Sequence, residues 1–274
     1  MTKQLILVAE GLGTTEATTA GGFLALRSGF ATGGRLVVVG AWAREVVRRY
    51  RGEDLGVELV LTSPHPILGY RPLTHAPTLM GGEGTFPTTT DDLLEHADAG
   101  EVYRELRAQL ERAILWGISV SHLAILHDAV WPRADLADAV FDLADEFRVA
   151  LRLTPSYSEA NLGYDAYILA CNRGIATIDH TLKATPAELS TTDALLHCIS
   201  KEMATELDGI IELALSFAAN TPEIRSFGSR EIHIIDPHSF TQQAAILKEL
   251  LQQRHVESET YRRITHARQQ QRKA

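Results

Sequence analysis

The residues of this chain that could do chemistry are a few carboxylates and histidines at the ends of apolar runs. Glu10 closes the first run in the context Ala9-Glu10-Gly11-Leu12-Gly13. Glu58 stands inside Gly56-Val57-Glu58-Leu59-Val60-Leu61-Thr62. A carboxylate with apolar neighbours on both sides is costly to bury unless it is paired or faces a polar cavity, so Glu58 either lines a site or forms a structural ion pair. His127-Asp128 ends a later run, where a His-Asp pair can orient a general base, and Asp179-His180 repeats the dipeptide after another. His122, alone within a run, reads as a core histidine, and Asp236-Pro237-His238 as a turn or helix cap. No HExxH, GxSxG or HxH is present. The segment Gly11-Leu12-Gly13-Thr14-Thr15-Glu16 lacks the third glycine of a dinucleotide fingerprint, and no Walker lysine follows it.

These residues need elements to hold them, and the pattern supplies strands and helices in alternation. Short β-branched runs at 5–9, 35–39, 57–61, 120–126, 149–153 and 209–215 read as strands. Helical periodicity fills 14–27, a stretch through Trp42, Val46 and Tyr50, 98–116, 134–147, 192–207 and 242–253. The clearest helix, 98–116, puts Val102, Leu106, Leu110 and Ala113 on one face and Glu101, Arg104, Arg107 and Glu111 on the other. Residues 63–90, rich in Pro, Gly and Thr, read as a long loop, either a functional lid or a surface excursion. Trp42, Tyr70 and Phe86 are candidate stacking rings, although each reads first as a packing residue. Alternation from end to end, without a linker, favours parallel strands wrapped by helices, as a barrel or an open doubly wound sheet. In a parallel barrel the reacting groups sit at the C-terminal ends of the strands. Residues 1–274 are therefore read as one barrel-like domain, with 265–274 as a polar tail.

Composition narrows the functions. The 274 residues carry 26 Lys+Arg against 35 Asp+Glu, a formal charge of −9, which argues against nucleic acid as partner. The basic residues that cluster, Arg262, Arg263, Arg268, Arg272 and Lys273, lie at the end of the chain. Two cysteines, Cys171 and Cys198, make neither a disulfide framework nor a zinc knuckle. No apolar run approaches membrane-spanning length, and the start of the sequence has no secretory pattern. The expectation is a cytoplasmic protein without a membrane partner.

The order of motifs resembles the YdjC-like carbohydrate deacetylases (the ChbG/HpnK family) over almost the whole chain. Val8-Ala9-Glu10-Gly11-Leu12-Gly13 stands where that family has Asn-Ala-Asp-Asp-Phe-Gly, and the Glu58 strand where it has Gly-Val-His-Leu-x-Leu-Thr. Ser121-His122-Leu123-Ala124-Ile125-Leu126, followed by Trp131-Pro132, is similar to its Thr-His-Leu-Asp-Ser-His strand. The stretch 209–217 is similar to its Gly-Val-Thr-Glu-Leu-x-x-His-Pro. The resemblance implies an α/β fold, a distorted TIM-like (β/α) barrel with parallel strands, and a family activity that removes acetyl groups from amino sugars with a divalent metal. It also implies a sugar-like small-molecule ligand and, as a family-like expectation, a homodimer.

Carried over residue by residue, the resemblance places Glu10 at the base, Gly11 at the ligand Asp, Glu58 at the first ligand His, Leu126 at the second and Ser216 at the His of His-Pro. Glycine and leucine side chains cannot bind a divalent ion, so no metal or other cofactor is expected. A rearranged site with Glu10, Glu58 and His127 would need a bulge or the loop beyond the strand, because a one-residue shift reverses the face. Three readings remain. The first is a divergent member using Glu10 and Glu58 as a metal-independent acid/base pair, with His127 and Asp128 in support and Asp179, His180 and Ser216 toward the ligand. The others are a catalytically inactive barrel that binds a ligand or protein, and a metal-dependent N-deacetylase with a rearranged site.

Overall fold

The computed structural model describes residues 3–63, 65, 68–227 and 232–271. Its elements run in chain order β1 (Gln4–Leu12), α1 (Glu16–Ser28), β2 (Gly33–Leu36), α2 (Ala43–Arg49), β3 (Leu55–Leu59), α3 (Thr90–His96), α4 (Ala99–Leu115), β4 (Val120–Ile125) and α5 (Ala134–Glu146). They continue with β5 (Ala150–Leu151), α6 (Glu159–Leu162), α7 (Ala166–Asn172), β6 (His180–Leu182), α8 (Thr192–Met203), β7 (Ile210–Ala219), α9 (Pro222–Phe227), β8 (Ile232–Ile235), α10 (Pro237–Gln253), β9 (Glu257–Ser258) and α11 (Tyr261–Gln271).

The sheet order is β5-β4-β3-β2-β1-β7-β6, with β8 on β7 and β9 on β1, and every one of these pairings is parallel. The sheet also meets itself. Leu151 N donates to Ala176 O (2.8 Å) and Ile178 N to Leu153 O (3.2 Å), while two residues later β6 pairs with β7. One stretch of chain thus bonds to both flanks and curls the sheet into the expected distorted barrel. Two large apolar clusters lie between strands and helices, one including Val57, Leu106 and Phe141 and the other Leu7, Leu213 and Phe240. A third and much smaller one, with Ile6, Val8, Ala150, Ile178, Tyr261 and Ile264, fills the interior. Among the described residues no helix is long and apolar enough to cross a membrane.

Two expectations are corrected. Residues 265–271 are not a polar tail but the body of α11, which closes the barrel at the N-terminal ends of the strands. Arg262 N donates to Asp54 Oδ2 just before β3, the Arg262 guanidinium to Ser119 O just before β4, and Tyr261, Ile264 and Thr265 are buried. Only two apolar side chains in an otherwise polar helix anchor it, which is why periodicity missed it. Arg272 and Lys273 lie outside the described residues.

The described residues 68–90 pack as a wall against α4 rather than as a loose excursion. Helix α4 buries its apolar face as its spacing predicts, but it also buries Glu105 and Gln109. Glu105 accepts from Leu73 N, Thr74 N and Thr74 Oγ1, and Gln109 bonds both Val60 N and Val60 O. A buried carboxylate with several hydrogen bonds holds its donors firmly, because releasing them would leave an unpaired charge. The candidate ring Phe86 is core in this wall, whereas Trp42 is partly exposed beside Gly13, whose carbonyl accepts from its N–H.

Candidate functional site

The interior of the barrel carries a layer of charge. Arg35 on β2 donates through Nη2 to Glu212 on β7 and through Nε to His122 Nε2 on β4 (3.2 Å). Arg152, directly after β5, donates through Nε to Glu212 Oε1 (2.9 Å) and through Nη1 to Asp128 Oδ1 (2.8 Å). From α11 the Tyr261 hydroxyl donates to Glu212 Oε2, and its ring stacks on His122 at 3.7 Å. Only glycine fits beneath that stack, since a Cβ at Gly56 would stand 2.5 Å from the His122 ring. Burial alone would raise the Glu212 carboxyl, but the two guanidiniums hold it below its ordinary range, and both guanidiniums are raised in turn. Burial, with Arg35 and Arg152 beside it, drives His122 far below its usual range, so it accepts from Arg35 as a neutral ring.

Above this layer, at the C-terminal ends of β1, β3 and β7, the two sequence-predicted glutamates come together. The register Ala9↔Leu215 sets Glu10 beside Ser216, whose Oγ donates to Glu10 Oε1 at 3.5 Å. Arg35 Nη1 lies 3.6 Å from Glu10 Oε2, and about a third of the Glu10 side chain (32%) reaches the opening. Glu58, only 7% exposed, accepts from Gly11 N at 3.3 Å. Burial, followed by the charge of Glu10, pushes the Glu58 carboxyl up to about 7. The Glu10 carboxyl is raised as well, by burial against the opposing pull of Arg35. Tyr70, from the 68–90 wall, shares a hydrogen bond with Thr14 Oγ1 (3.2 Å) and faces the charge of Glu58; burial raises its hydroxyl to about 12.

The other predicted residues divide. Asp128 belongs to the charged layer through Arg152 and accepts from Trp131 Nε1 at 3.3 Å. His127 is exposed at the rim, and both it and Asp128 have left-handed backbones (φ 55° each), which turns the chain away from the strand direction. Asp179 and His180 are not brought to this group. They do not follow a strand but begin β6, where His180 pairs with Ile211 and Asp179 Oδ2 accepts from Ile210 N (2.7 Å), level with the start of β1. At ~3.3 Å per residue that is most of the length of β1 from Glu10.

The residues do not fit the divalent ion that the resemblance implies. The Gly11 side chain has no donor, the Leu126 side chain has only carbon, and the rim turn leaves His127 exposed, with no bonded partner among the described residues. Among the described residues no three of His, Cys, Asp and Glu converge in ligating geometry. Sequence reasoning missed Arg35, Arg152, Glu212 and Tyr261. The signal was there for the first three, each a single charge in an apolar strand, as in Ile210-Ile211-Glu212-Leu213-Ala214. A cleft of 270 Å³ beside Asp145, Arg148 and Arg268 lies at the closed end, away from Glu10 and Glu58.

Comparison with known proteins agrees with this geometry at the level of fold and family. A structure from Enterococcus faecalis V583, described as a cellobiose-phosphate cleavage protein, superposes with a TM-score of 0.73 over 95% of this chain and 98% of its own, at 21% identity. A carbohydrate deacetylase of Thermus thermophilus is 43% identical over 145 residues, 53% of this chain and 51% of that protein. One of Brevibacillus brevis is 31% identical over 152 residues, 54% and 58% of the two chains. The chain spans about half the length of these curated relatives. The model of the YdjC-like protein family matches residues 4–271, and the chain belongs to that family.

Proposed function

We propose that the open end of the barrel is a hydrolytic acid/base site for a sugar-like ligand, worked by Glu10 and Glu58 rather than by a bound metal. The observation that carries this is the Glu58 carboxyl, buried at the strand ends beside Glu10 and raised to about 7. Two coupled carboxylates in such a place share one proton near neutral pH, so that one is an acid while the other is a base. Glu58, the more enclosed, holds the proton. Glu10, nearer the opening and next to Arg35, is the base.

For an N-acetylated amino sugar, the substrate class that the family resemblance implies, the step balances. Glu10 takes a proton from water as its oxygen bonds to the acetyl carbon, Glu58 gives its proton to the departing nitrogen, and the C–N bond breaks to leave acetate and an amine. General acid/base groups of this kind each contribute ~10²–10⁴ in rate. The test is acetate release from N,N′-diacetylchitobiose by protein treated with chelator. Activity should persist in the chelator and fall at least about 100-fold in Glu58→Gln and in Glu10→Gln. Release that requires added divalent metal, or that survives Glu58→Gln, overturns the proposal. Binding without release would identify a ligand-binding barrel instead.

A further inference from the structure

Gly11 stands at the opening with a left-handed backbone (φ +71°), and the place of its missing side chain is empty. A Cβ built there meets nothing nearer than Ser216 Oγ at 3.7 Å and Thr14 Oγ1 at 3.8 Å. The two hydroxyls nearest this space belong to different elements, β7 and the turn before α1. Thr14 Oγ1 is itself bonded to the Tyr70 hydroxyl, and the Gly11 N–H is bonded to Glu58. The space is therefore bordered by the Ser216 and Thr14 hydroxyls, with the Tyr70 hydroxyl one hydrogen bond beyond Thr14, Glu10 next in the chain and Glu58 bonded to the Gly11 N–H.

We propose that the space left by the absent side chain of Gly11 is a ligand subsite for an uncharged hydroxyl or carbonyl oxygen of a carbohydrate, with the Tyr70 hydroxyl as the contact that determines specificity. This rests on the reading of the open end as a sugar site and adds to it which atoms hold the ligand. Tyr70 is positioned before any ligand arrives. Ser63 Oγ accepts from Tyr70 N (2.9 Å) and donates to Leu68 O (2.8 Å), Tyr70 O accepts from Phe86 N (2.8 Å), and the wall beyond is pinned by Glu105. A donor fixed in this way loses little freedom on binding, so its hydrogen bond adds to affinity. Burial keeps Tyr70 protonated throughout the neutral range, so the Tyr70 and Thr14 hydroxyls, which share one hydrogen bond, together keep one further proton to donate. The ligand class follows from charge. Glu10 is the chain neighbour of Gly11 and Glu58 is bonded to its N–H, while the Arg35 guanidinium beneath is engaged by Glu212, His122 and Glu10 itself. A phosphate or carboxylate placed in the space would be another negative group beside carboxylates, whereas a neutral oxygen can bridge the hydroxyls that border it.

A site built to hydrogen-bond a ligand oxygen loses affinity when its donor is removed, because the ligand's polar atom is then desolvated without a partner. The experiment is calorimetric titration of N,N′-diacetylchitobiose, and of glucosamine 6-phosphate, into the full chain and its Tyr70→Phe and Gly11→Asn variants at pH 7. Tyr70→Phe keeps the ring and should weaken chitobiose binding about 10-fold with an unchanged melting temperature. Asn tolerates a left-handed backbone and would fill the space, so Gly11→Asn should weaken binding about 100-fold or more. Glucosamine 6-phosphate should bind more weakly than chitobiose. Equal affinity in wild type and Tyr70→Phe, or unimpaired binding by Gly11→Asn, overturns the subsite while leaving the sugar reading intact. Preference for the phosphate overturns the ligand class. Failure of the wild type to bind chitobiose removes both the sugar reading and this inference.

Discussion

At the closed end of the barrel the Tyr261 hydroxyl and the guanidiniums of Arg35 and Arg152 all converge on Glu212. At the open end, among the described residues, Glu10 and Glu58 have only the third guanidinium nitrogen of Arg35 at 3.6 Å, one backbone N–H and one serine hydroxyl at 3.5 Å. Both ends place carboxylates in the same narrow interior. The surroundings drive them in opposite directions, Glu212 below the ordinary carboxylate range and Glu58 above it. A carboxylate saturated with donors is a structural anion, whereas one left short of them must hold a proton or meet a ligand. The difference separates the part of the interior that holds the barrel together from the part that can react.

The same substitution should act with opposite sign at the two ends, and the larger effect is at the closed one. Glu212→Gln removes the shared anion and leaves two buried guanidiniums without their counter-charge. Breaking a buried ion pair by removing one partner costs about 3–5 kcal/mol, so urea unfolding at pH 7 should show a loss of that size. A loss below about 1 kcal/mol would mean that water reaches this layer, and the contrast between the ends would fail.

Glu58→Gln should do the reverse. A folded carboxyl at about 7, above the unfolded value of 4.5, binds its proton more tightly in the native state. The stability it contributes is complete below pH 4.5 and declines as the pH rises through 7. Gln keeps the neutral form at every pH, so the variant should match wild type in acid and exceed it above pH 7 by on the order of 3 kcal/mol. Unfolding curves at pH 4.5 and pH 8 decide this. A variant less stable than wild type at pH 8 would show that Glu58 is held as an anion, like Glu212.

Much of this contrast is legible in the sequence. Glu58 stands out because a lone carboxylate in an apolar strand needs a partner. The same rule applies to Arg35 in Gly33-Gly34-Arg35-Leu36-Val37, to Arg152 in Ala150-Leu151-Arg152-Leu153 and to Glu212. Together these make two charges of each sign on four strands, β2, β3, β7 and the end of β5. The parallel alternation and helix α4 were legible because periodicity reports burial directly. Tyr261 was not, because nothing in Glu259-Thr260-Tyr261-Arg262-Arg263 distinguishes a ring that enters the barrel from one on a polar surface. Asp179-His180 could not be assigned to an end because β6 is three residues long and its phase depends on pairing with β7.

Backbone strain offers the smallest but sharpest comparison of the two ends. His127 at the rim and Arg148 at the closed end both have left-handed backbones, with φ of 55° and 54°. A non-glycine residue there costs roughly 1–2 kcal/mol, part of which glycine returns to the unfolded chain as entropy. Arg148 follows α5, its N–H bonded to Asp145 O, a position where helices commonly take glycine. Arg148→Gly should therefore stabilise by about 0.5–1 kcal/mol and leave ligand binding and acetate release unchanged. His127→Gly should stabilise by a similar amount, since it relieves the same conformation, but it also removes the imidazole that the turn presents at the opening. Strain retained at a working site has a function to offset it, whereas strain at a helix end does not. Melting temperatures and chitobiose titrations of the two variants test this together. Equal stabilisation with weaker binding only for His127→Gly assigns the rim turn to the site, and unimpaired binding by both variants places His127 outside it.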